Sequence, residues 1–106
     1  MDIEKVKYNE IVTKVLNKCE GTYEGKMMSS PGVKYNDKVF IFYFKKEMTF
    51  RLGKDFNLAD YGIKDIKLLN PFKNKPPLKG WFVISYDEHD KWEELAYKAY
   101  EFAKTL

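Results

Sequence analysis

Residues 38–44 read Lys-Val-Phe-Ile-Phe-Tyr-Phe, six apolar or aromatic side chains in a row behind a lysine. No other stretch limits the fold as much. The run is far below the roughly 20 residues a membrane span needs. Its β-branched and aromatic make-up suits a pleated, well-covered strand. Glu-Met-Thr-Phe-Arg-Leu follows at 47–52, with Met48, Phe50 and Leu52 on one face and Thr49 and Arg51 on the other. Lys45, Lys46 and Glu47 lie between the aromatic run and Met48, so a tight hairpin is expected. Upstream, residues 26–35 predict an earlier antiparallel strand, bent at Ser29-Ser30-Pro31-Gly32 because proline removes a ladder donor and glycine tolerates unusual dihedrals. Asn36-Asp37 supplies its turn into the aromatic strand.

Helical periods flank this block. Ile3, Val6, Ile11, Val12, Val15, Leu16 and Cys19 recur at helical spacing, with Asp2 placed to cap the start and Gly21 to end it. Asn57 and Gly62 bracket a short helix. A strand is expected around Ile66 and Leu68, a proline-broken loop over 73–80, and a last strand over 81–86. Asp87 is placed to cap a final helix striped by Trp92, Leu95, Ala96, Ala99, Ala103 and Leu106.

The order is helix, three strands, short helix, two strands, helix. It predicts a single domain over 1–106: an α+β two-layer sandwich, an antiparallel five-stranded sheet with its helices on one face. One feature resists that layout. A sheet covered on one side alternates apolar and polar residues, yet strict alternation would put Val39, Ile41 and Tyr43 on one face and Phe40, Phe42 and Phe44 on the other. Phe82 and Ile84 sit opposite Trp81 and Val83 in the same way. An exposed side chain of this size forfeits about 1.5–3 kcal/mol of burial. Phe40, Phe42, Phe44, Phe82 and Ile84 are therefore the candidate interaction surface, covered most simply by a second copy of the chain as a homodimer.

The chemistry-bearing residues are sparse. One cysteine and one histidine exclude a zinc site of paired cysteines and histidines. The lone cysteine suits a reducing, cytoplasmic compartment, and Cys19 completes the first helix stripe as a small core residue. Ser29 and Ser30 lack the Gly-x-Ser-x-Gly setting of a hydrolase nucleophile, and Ser-Ser-Pro-Gly lacks the lysine of a phosphate loop. His89, within Asp-Glu-His-Asp-Lys, reads as an exposed first-turn residue rather than a general base. No catalytic residue, metal or cofactor is expected, and no membrane anchor. The net charge of +3 is a mild excess. Lys73, Lys75 and Lys79, near Phe72 and Trp81, could hold single-stranded nucleic acid by charge and stacking; a solvated loop explains them equally.

Gly25-Lys26-Met27-Met28, then Pro31-Gly32-Val33, then Tyr35-Asn36-Asp37-Lys38-Val39-Phe40 resembles the N-terminal domain of TfoX-like proteins. Pro71-Phe72, the Trp81 strand and the Trp92/Leu95/Ala96/Ala99 helix are similar to it too. Met28 stands where that family has an aromatic and Ser29 where it prefers glycine. The resemblance implies a two-layer α+β fold, similar to YjbR-like proteins and secretion chaperones, and implies no catalytic residues. The second, helix-hairpin-helix-like domain of the full-length competence regulators is not among the 106 residues. The expected function is that of a small cytoplasmic, non-enzymatic regulatory domain acting through protein–protein contacts. The alternative is a nucleic-acid accessory protein using the 73–79 loop.

Overall fold

A computed structural model describes residues 2–27, 30–63, 67–69 and 78–106. It is an α+β sandwich: helices α1 (Ile3–Lys18) and α2 (His89–Ala103) lie on one face of an antiparallel sheet. A strand answers to each expected one, as β2 (Ser30–Tyr35), β3 (Lys38–Phe44), β4 (Glu47–Arg51), β5 (Lys67–Leu69) and β6 (Leu78–Ile84); Ile66 itself lies outside the described residues. A further strand, β1 (Thr22–Met27), joins at the edge, and the order is β1-β2-β3-β4-β6-β5.

That added strand changes the reading of residues 26–35. They do not form one bent strand; Met27 pairs with Ser30 and Gly25 with Gly32, so the chain reverses there. Pro31 has a separate effect. The β2–β3 ladder stops at Gly32↔Phe42, one residue short of the position where Pro31, without an N–H, would have to donate. Asn36 and Asp37 turn β2 into β3 with φ of 53° and 66°, and Lys45 and Lys46 turn β3 into β4 with φ of 50° and 68°. Positive φ at both central residues is what a two-residue hairpin needs to match the twist of its strands.

The expected bulge lies elsewhere. Val33 pairs with Ile41 but Lys34 with Val39, which leaves Phe40 as an extra residue in β3. One extra residue shifts the side-chain alternation by one. Phe40 and Ile41 therefore both enter the core, where each is 0% exposed. A second irregularity lies at the start of β6, where Leu68 pairs with Phe82 but Leu69 with Leu78. Residues 78–80, expected as loop, belong to this strand, and Gly80 bends it at a φ of 88°.

The helices fill the layer against this face. Tyr8, Ile11, Val12, Val15 and Cys19 of the first helix segment are buried, with Trp92, Leu95, Ala96, Ala99 and Ala103 of α2. Ile3 and Val6, expected in the stripe, are 60% and 45% exposed. At about 100° per residue Val6 falls on the far side of α1 from Ile11 and Val15. Tyr8 takes the inward place, its ring 5.1 Å from Tyr43. Leu106 likewise ends outside the core. Asp2 occupies the N-cap of α1 without a side-chain cap bond. Asn57 does cap the short 3₁₀ helix Leu58–Tyr61, accepting the Ala59 N–H at 3.1 Å, and Gly62 ends it at a φ of 76°. Asp87 does not cap α2; it lies inside a 3₁₀ turn, Tyr86–Glu88, that leads into the helix.

Candidate functional site

The bulge redistributes the surface expected from alternation. Phe40, Phe82 and Ile84 belong to the core beneath the helices, and Phe42 is also buried. Only Phe44, at 51% exposure, is open to solvent. The apolar area that argued for a homodimer is thus mostly covered within one chain, and that argument falls with it.

The face of the sheet away from the helices is held together by its own cluster. By register, Phe42 pairs across the sheet with Thr49, and Arg51 with Trp81. The Phe42 and Trp81 rings lie 5.8 Å apart, and the Arg51 guanidinium sits 5.5 Å from the Trp81 ring centre. Both rings are nearly sealed, and the cation over Trp81 keeps a wet group above a dry one. Gly32 makes this packing possible: a Cβ there would meet the Phe42 Cβ at 3.0 Å and the Ile41 carbonyl oxygen at 2.5 Å. Phe44 extends the same face, with the Lys45 ammonium 5.2 Å from its ring centre.

A cleft opens at the sheet end where β4 leaves the ladder. The Leu52 and Gly53 N–H groups both donate to the Gly80 carbonyl, at 2.8 and 3.2 Å. The crossing is close enough that a Cβ on Gly80 would stand 3.1 Å from the Gly53 carbonyl carbon and the Lys54 nitrogen. Gly53, at a φ of 93°, is in turn packed on Phe102 of α2, whose ring a Cβ would meet at 2.8 Å. Around this crossing lies a space of about 590 Å³, lined by Arg51, Leu52, Gly53, Lys54, Asp55, Phe56, Gly80 and Phe102. Sequence reasoning missed it. The available signal was a glycine beside a cation and an aromatic in both Arg-Leu-Gly-Lys-Asp-Phe and Leu-Lys-Gly-Trp-Phe, but no spacing says that the two glycines meet.

The remaining reactive groups serve local structure. His89 stacks on Tyr86 with ring centres 4.3 Å apart, and its Nδ1 lies 2.8 Å from the Tyr86 carbonyl oxygen. Burial pushes the Cys19 thiol above its ordinary pKa and so keeps it protonated. Burial does the same to the Tyr8 hydroxyl, with the Glu24 carboxylate adding to it. Lys14 donates to Glu93 at 2.9 Å and ties α1 to α2. Lys73 and Lys75 lie outside the described residues, and of Lys79 only the backbone is described, next to Gly80 at the cleft. Among the described residues no three histidine, cysteine or acidic side chains gather to hold a metal, and no helix is long and apolar enough to cross a membrane. Comparison of the chain with family models, with curated proteins and with solved structures returns no match.

Proposed function

We propose that the chain is a non-enzymatic, cytoplasmic interaction domain of the TfoX N-terminal type, and that it meets a protein partner on the sheet face away from the helices. The observation that carries this reading is Phe44. It is a large aromatic side chain, half exposed, beside a two-residue hairpin turn and at the edge of an otherwise sealed aromatic cluster. Tyr23, 40% exposed, lies on the same face by register. Aromatic anchors beside cations are the composition of contact hot spots.

The partner's chemistry follows from the neighbours. Three cations, Lys34, Lys45 and Arg51, rim this face beside two acids, Glu47, paired with Phe44 across the hairpin, and Asp37, bonded to the Tyr23 hydroxyl, so the rim is net positive by one. A second copy docked about a two-fold axis would set these cations against each other, and like charges across an interface are costly. An acidic partner protein with an apolar contact meets both features. Light scattering is expected to give the single-chain mass of 12.6 kDa. Phe44→Glu is expected to abolish partner capture from the native host, while Val6→Glu, on the opposite layer, leaves it intact. Capture that survives Phe44→Glu refutes this face, and a stable dimer mass refutes the choice of partner.

A further inference from the structure

We propose that the cleft between the β4 end, Gly80 and Phe102 binds a small aromatic monocarboxylate. Arg51 borders both this cleft and the face proposed to meet a protein, whereas Lys54 and Phe102 belong to the cleft alone, so Lys54→Gln tests the cleft apart from the Phe44 contact.

Shape comes first. At about 590 Å³ the space falls within the range of small-molecule sites. It is not a chance dent between loops. Two glycines in the left-handed region, Gly53 and Gly80, bring two backbones together at its base, and one carbonyl accepts two N–H groups there. Those three features fix the floor, so it needs little ordering when a ligand enters.

Chemistry comes second. One wall is apolar: Leu52, Phe56 and Phe102. Phe56 is itself held, stacked on Tyr61 at 5.4 Å with the rings 13° from parallel. A flat ring can lie against such a wall by offset or edge contact. The other lining groups are two cations, Arg51 and Lys54, and one carboxylate, Asp55. Among the described residues they leave a single positive charge, which suits one negative charge. The Arg51 guanidinium is already oriented by Trp81. Its planar fork matches a carboxylate in two parallel hydrogen bonds.

The test uses ¹⁵N-labelled full chain titrated with phenylacetate, phenylacetamide and inorganic phosphate. Phenylacetate is expected to shift the backbone amides of Gly53, Lys54, Asp55 and Gly80 saturably. Phenylacetamide, which has the ring without the charge, is expected to bind at least about tenfold more weakly. Phosphate, which has charge without the ring, is expected to be weaker again. Lys54→Gln, at an exposed turn position, and Arg51→Gln are each expected to weaken phenylacetate about tenfold. The Lys54→Gln melting temperature should be unchanged, so that its loss of binding reads as loss of contact rather than of fold. Equal binding of acid and amide, phosphate binding as tight as phenylacetate, shifts confined to other residues, or no saturation by about 10 mM would each overturn the proposal. A short oligothymidylate that displaces phenylacetate at low salt and loses its grip as salt rises would reassign the cleft to nucleic acid.

Discussion

Phe40 and Ile41 are consecutive in β3, and both side chains point into the core. A regular strand forbids this, since its side chains alternate. The bulge at Phe40 permits it, and in doing so closes the layer between sheet and helices with two large residues where alternation would supply one. Phe40 lies 6.0 Å from Tyr100 of α2, ring centre to ring centre. Phe40→Ala is expected to cost about 3–5 kcal/mol in urea denaturation, and Phe44→Ala less than about 1 kcal/mol. Equal costs would mean that the two phenylalanines share an environment and that the bulge is misplaced.

The backbone crossing at the cleft makes a second prediction. Gly62 and Gly80 both have positive φ, but a Cβ on Gly62 meets nothing within 4 Å, whereas one on Gly80 meets backbone at 3.1 Å. Gly62→Ala therefore carries dihedral strain alone, about 1 kcal/mol. Gly80→Ala adds a clash with atoms that cannot rotate away, for roughly 2–4 kcal/mol together. Thermal unfolding of the two variants separates them; indistinguishable melting temperatures would show that the β6 bend is not held against Gly53.

The Lys14–Glu93 pair predicts a pH dependence. The hydrogen bond from Lys14 holds the Glu93 carboxyl below its ordinary value of 4.5, and the Tyr97 hydroxyl, at 3.3 Å, adds to the effect. A depressed folded-state pKa contributes stability that is present above the unfolded value and is lost as pH falls through the folded one. Glu93→Gln is expected to lower the neutral melting temperature slightly, and by that amount to shallow its fall below about pH 5, the two proteins converging in acid; the effect is small, since both side chains are partly exposed. Melting temperatures that superimpose at neutral pH as well as in acid would show that the pair does not link α1 to α2 in solution.

Local rules made much of the architecture legible in the sequence. The two turns followed from Asn36-Asp37 and from Lys45-Lys46, the short helix from Asn57 and Gly62, and the α2 stripe from Trp92, Leu95 and the alanines. These depend on neighbours in the chain. Non-local pairing was not legible in the same way. Whether Phe40 continues an alternation or stands outside it depends on where Val33 and Lys34 pair, and β2 carries no mark of that register. The same limit hid β1, a six-residue edge strand with a glycine in its middle, and it hid the cleft, whose two glycines lie far apart in the chain. Val6 was misplaced for a simpler reason: steps of three and four can drift off a stripe as well as follow it.

On the proposed function, the face bearing Phe44, and not the helix layer, meets an acidic protein partner. The most direct measurement replaces Phe44, and in a separate protein Val6, with a photoreactive phenylalanine and irradiates each in extract of the native host. One discrete, higher-mass adduct is expected from position 44, with an acidic protein as the joined chain, and none from position 6. An adduct formed only from position 6, or none from position 44, would contradict it.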